Sequence, residues 1–180
     1  MKNILTGLVL LFALNAGAQE LNKKIEDPNR HKQVMLNNCT REGLVTFPEF
    51  KASYDANYAN YKTDSTSLEE LGKLIKGKKV TIVLGTWCGD SKYQVPNFLK
   101  IMDDLKVAED KIRIIAVDGT KQAENGLIDG LNITRVPTFI FYDKKDVEVG
   151  RITERPTETL EKDMLKALAA KPKTATAKTK

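Results

Sequence analysis

The chain has 180 residues, 41% hydrophobic and 29% charged, with two cysteines, one histidine and a formal charge of +5. That length suits one compact domain. Two cysteines are too few for a disulfide scaffold, and a single histidine, His31, with two distant cysteines makes no convincing zinc site, so neither a metal nor another cofactor is expected. The excess charge is local: of the 29 Lys and Arg residues, Lys2 and four lysines in 171–180 sit at the ends, and the remainder balance the 24 Asp and Glu. A neutral body gives no reason to expect a nucleic-acid partner.

In chain order, Met1-Lys2-Asn3 gives a positive start, residues 4–14 an apolar run, and Ala16-Gly17-Ala18 a small-residue exit. Together they predict a secretory signal peptide over 1–18, with Gln19 as the new N-terminus. The apolar run is about half of the roughly 20 residues that a membrane span needs. No cysteine follows the exit to carry a lipid. The expectation is a soluble, exported protein, periplasmic or secreted, with no integral membrane segment in its mature form.

Residues 19–66 read as an N-terminal arm and helical extension. The stretch 19–38 is polar and aperiodic, a loose arm. Phe50, Tyr54, Tyr58 and Tyr61 then recur at spacings of four, four and three, one face of a helix beginning near Pro48. Ser67 with Glu70 forms a capping-box pattern ahead of a short helix faced by Leu68, Leu71, Leu74 and Ile75. Val80, Ile82, Val83 and Leu84 predict a buried strand. Val95, Phe98, Leu99, Met102 and Leu105 mark a helix over 91–105, with Pro96 at a kink or near its start. A second strand spans 112–117, and a short helix is expected over 121–130. A third strand covers 138–142, a charged turn 143–146, and a fourth strand 147–152. Pro156 and Thr157 open a last helix faced by Leu160, Met164, Leu165 and Leu168. Residues 171–180 read as a disordered basic tail. The order predicts an α/β domain over 67–170, a mixed sheet of about four strands with helices on both faces.

The segment Gly85-Thr86-Trp87-Cys88-Gly89-Asp90-Ser91 falls where a buried strand hands over to a helix. Unpaired amides and the helix dipole favour negative charge at such a place, and the thiolate is the reactive form of cysteine. Trp87 can shield the sulfur, and Gly89 lets the backbone bend closely under it.

Trp87-Cys88-Gly89-Asp90-Ser91 resembles the thioredoxin active-site segment Trp-Cys-Gly-Pro-Cys. Pro96 stands where the family has its helix-kinking proline. Val136-Pro137-Thr138 resembles the family's cis-proline loop, Asp118 its strand-ending Asp, and Val149-Gly150-Arg151 its last-strand glycine turn. The resemblance implies a thioredoxin fold with Cys88 as nucleophile, assisted by Trp87 and Ser91. It also implies that Gly89, Asp90, Val136 and Pro137 face a substrate, and that the partners are protein or small-molecule thiols and disulfides. Three departures matter. Ser91 replaces the second cysteine, Ile82 stands where the family holds a buried Asp, and Asp90 replaces proline and sets a negative charge beside Cys88. A mixed disulfide on Cys88 therefore needs a thiol from elsewhere to release it. That thiol is the substrate's own, a small molecule's, or Cys39 as a candidate resolving partner. A Cys39–Cys88 disulfide and a redox-inactive binding or chaperone-like module are the competing expectations.

Overall fold

The computed structural model describes residues 20–170. The predicted signal peptide and basic tail lie outside the described residues.

Six strands form one mixed sheet in the order β1-β2-β4-β3-β5-β6. They are β1 Lys23–Asp27, β2 Lys32–Cys39, β3 Lys79–Leu84, β4 Ile112–Ala116, β5 Thr138–Tyr142 and β6 Glu148–Thr153. β3 and β4 pair parallel and every other neighbour pairs antiparallel. The helices are α1 Arg41–Thr46, α2 Pro48–Asn60, α3 Ser65–Leu74, α4 Gly89–Asp104 and α5 Leu160–Ala169. The last five residues of β3 are all buried, which is why it reads as a continuous apolar run rather than an alternation.

The sheet has two more strands than the sequence predicts. The loose arm expected over 19–38 is the β1–β2 hairpin, which extends the sheet through β2 on β4. The two faces are also unlike. Ile82, Leu84, Ile114, Ala116, Phe139 and Phe141 point into the main core, where buried apolar side chains of all five helices join them. Val83, Ile115 and Val117 form a small second cluster with Ile128 and Val136, which belong to the connection 118–137. Helices therefore cover one face and an irregular connection the other. The helix expected over 121–130 does not form beyond a single 3-10 turn, Glu124–Gly126. Lys121, Asn125, Gly126 and Gly130 all have positive φ, a conformation that right-handed helix excludes.

Local chemistry sets the remaining boundaries. Pro48 opens α2 at its first turn, and Phe50 and Tyr54 are buried. Asp64, not Ser67, caps α3, its carboxylate accepting the Ser67 N–H at 3.0 Å. Thr159 caps α5. An added Cβ on Gly150 would stand 2.3 Å from the Ala167 carbonyl oxygen, so glycine there lets α5 lie directly on β6.

Candidate active site

β3 ends at Leu84, and a short turn carries the chain into α4. The Cys88 N–H donates to the Gly85 carbonyl at 2.9 Å, closing that turn. Cys88 is the N-cap residue of α4, with φ −85° and ψ 127°, and its side chain makes no capping bond to the helix. The sulfur instead faces across to the cis Val136-Pro137 peptide, and its S–H donates to the Val136 carbonyl at 3.3 Å. Cys88 is half-buried. A carbonyl binds only the protonated sulfur, whereas the first-turn amides of α4 interact best with an anion.

Each neighbour of Cys88 has a distinct task. Ser91 is fully buried, and its Oγ accepts the Gly85 N–H at 3.2 Å. It ties the end of the strand to the first turn of α4. Trp87 Nε1–H donates to the Val117 carbonyl at 3.1 Å. The indole lies over Gly85, where an added Cβ would come within 2.6 Å of the ring, so the glycine makes room for it. Gly89 is exposed and an added Cβ there would meet nothing within 4 Å. Packing does not require a glycine at 89, and the ledge beside the sulfur is bare. Asp90 does not stand alone: Arg155 Nε donates to its Oδ1 at 2.8 Å. Val136 and Pro137 are themselves buried, so what the loop offers beside the sulfur is backbone.

The two cysteines are both free. Cys39 closes β2 opposite Ile114 and belongs to the main core, whereas Cys88 packs against the second cluster on the other face of the sheet. The competing expectation of a Cys39–Cys88 disulfide is not met: both thiols are free, and they pack in clusters on opposite faces of the sheet. Burial pushes the Cys39 thiol up to about 12, against a weaker opposing effect from a backbone hydrogen bond at Ala116. Ile82 is fully buried in the main core, so an aliphatic side chain fills the place of the family's acid.

Several residues at the site escaped the sequence reading. Arg30, at the tip of the β1–β2 hairpin, holds its guanidinium carbon 3.9 Å from the centroid of the Trp87 ring. Asp27 is 1% exposed. Its carboxylate accepts the N–H groups of Asn29 at 2.9 Å, Arg30 at 3.1 Å and Gly119 at 2.5 Å. Thr86 Oγ1 accepts the Met35 N–H at 3.1 Å. The only local signal was the turn-forming run Asp27-Pro28-Asn29, and nothing in it points to Trp87. Among the described residues no group of three His, Cys, Asp or Glu converges, and no helix is long and apolar enough to cross a membrane.

A family model described as thioredoxin matches residues 45–169. No curated protein matches the chain. Among solved structures, a protein of unknown function from Pseudomonas aeruginosa is 15% identical with a TM-score of 0.52, over 72% of this chain and 86% of its own. Mitochondrial thioredoxin 3 from Saccharomyces cerevisiae, in its oxidized form, is 28% identical with a TM-score of 0.36, over 60% of this chain and 96% of its own. The Pseudomonas protein shares the fold. The family match spans well over half of the chain and contains both Cys88 and Pro137, and on that ground the chain belongs to the thioredoxin family.

Proposed function

We propose that this is an exported thiol–disulfide exchange protein that acts through one nucleophile, Cys88, as a monothiol oxidoreductase or in an isomerase-like cycle. The observation that carries the reading is a half-exposed sulfur at the N-cap of α4, unused by the helix and opposed at 3.3 Å by the Val136 carbonyl. Export is read from residues 1–18.

In the proposed reaction the Cys88 thiolate attacks one sulfur of a substrate disulfide. A Cys88–sulfur bond forms as the substrate bond breaks, and the departing thiolate takes up a proton. Cys88 is oxidised to the mixed disulfide and the departing sulfur is reduced. An extended substrate segment can pair with the backbone at Val136. Ser91 has no thiol to reverse the bond, and Cys39 lies across the sheet with a thiol that stays protonated at neutral pH. Release therefore falls to a second thiol on the substrate or to a small thiol.

The test is alkylation of the native protein by iodoacetamide at neutral pH, with the modified residue identified by mass spectrometry. The expected result is modification of Cys88 alone, severalfold faster than a free cysteine peptide, with Cys39 modified only after denaturation. Cys88 reacting no faster than the peptide would overturn the thiol reading. The redox-inactive binding module would then stand, supported by Ile82 and Ser91, and Cys88→Ala would keep its partner.

A further inference from the structure

A groove of about 500 Å³ opens beside the site, between the β1–β2 hairpin and α4. Its lining includes Arg30 and Lys32 from the hairpin, Lys92 from α4, and Trp87 and Thr86 from the active-site turn. Glu49 is the one acid in that lining, against three bases. None of the three bases takes part in the ion pairs found among the described residues. The hairpin residues lie outside the family match at 45–169.

The basic wall is held in place. The Asp27 carboxylate fixes the turn through the Asn29 and Arg30 N–H groups and anchors it to Gly119. The Arg30 guanidinium lies on the Trp87 ring, and that ring is itself held by the Val117 carbonyl. A guanidinium stacked on an indole is pre-organised to bind a carboxylate in a fork.

We infer that this groove binds an acidic peptide segment of the substrate, with carboxylates placed a few residues from the substrate cysteine. The groove shares Trp87 with the site, so a chain running past Cys88 reaches Arg30 and Lys32 within a short extended stretch. The inference rests on the proposed role of Cys88 for the identity of the ligand, but the groove itself can be tested without any sulfur chemistry.

Trp87 is the only tryptophan, so its emission reports the groove directly. The probes are two short capped peptides built around a central serine, one flanked by glutamates and the other by lysines. The glutamate peptide is expected to change the Trp87 emission saturably at low ionic strength. The lysine peptide is expected to leave it unchanged, and salt to reverse the effect, as screening requires. Arg30→Gln and Lys32→Gln should each weaken the glutamate peptide by up to about fivefold. Both positions are exposed, and circular dichroism checks that each variant is folded. Equal response to the two peptides, no response to either, or full binding in both variants would overturn the inference. Failure of the alkylation test with glutamate-peptide binding intact would strike the thiol reading and leave the groove standing.

Discussion

Asp90 occupies the first turn of α4, one residue past the Cys88-Gly89 step, where a carboxylate suits the helix dipole but not a neighbouring thiolate. Arg155 reconciles the two. Its guanidinium meets Asp90 Oδ1 at 2.8 Å, reaching from the segment that follows β6. Asp90 is readable in the sequence as a charge beside the cysteine, but its partner lies 65 residues away, and no local spacing announces it. Removing Arg155 leaves the carboxylate unscreened and should disfavour the reacting thiolate. Arg155→Ala is expected to slow iodoacetamide modification of Cys88 by about two- to threefold, the scale of an exposed ion pair. Asp90→Asn should not slow it, and in that background Arg155→Ala should have no further effect. A rate unchanged in the Arg155→Ala single variant would show that the pair leaves the sulfur untouched.

At the scale of elements, legibility follows the range of the interactions that build each one. β3, β4, β5, β6, α2 and α4 carry their own apolar periodicity, and Cys88 and Pro137 lie in short motifs, so all of these were readable. The β1–β2 hairpin was not. Lys24 and Glu26 of β1 face solvent, with only Ile25 partly buried between them, and the positive φ of Asn22, His31 and Asn37 interrupts any regular alternation. What holds the hairpin is tertiary: the Asp27 carboxylate on the Gly119 N–H, the Met35 N–H on Thr86 and Arg30 on Trp87. Asp27→Ala leaves three N–H groups without their acceptor. It is expected to lower stability by about 1–3 kcal/mol and to shift Trp87 emission as Arg30 loosens from the ring. Urea unfolding followed by that emission measures both. An unchanged midpoint with unchanged native emission would show that Asp27 is not what positions the hairpin.

Across the whole molecule, the helices are gathered on one face of the sheet, and α2 must be fastened to α4 there. The aromatic stripe of α2 was legible as a packing face. Its second task was not, because it depends on where α1 and the end of α4 meet. Arg41 donates to Asp103 Oδ1 at 2.7 Å and to Oδ2 at 2.5 Å, and the Tyr58 hydroxyl donates to the same Oδ2 at 2.5 Å. Burial pushes the Asp103 carboxyl up, but the hydrogen bonds from Arg41 and Tyr58 outweigh it and hold the group below the usual carboxylate range. A depressed folded-state value means stabilisation that is fully present above the ordinary carboxylate range, about pH 4, and is lost as pH falls through the folded value. Asp103→Asn should therefore cost about 1–3 kcal/mol at neutral pH. The gap from the parent chain should narrow as the pH drops below about 4, because the parent then loses what the variant never had. Cys88 and Asp103 sit at opposite ends of α4, a helix of 16 residues and so about 24 Å long. Alkylation of Cys88 in the folded variant should accordingly match the parent. Urea midpoints of both proteins at neutral and acid pH, paired with the alkylation rate, decide the matter. A gap that stays constant into acid would mean that the clamp does not draw on the Asp103 charge, and an altered Cys88 rate would mean that fastening α2 also shapes the site.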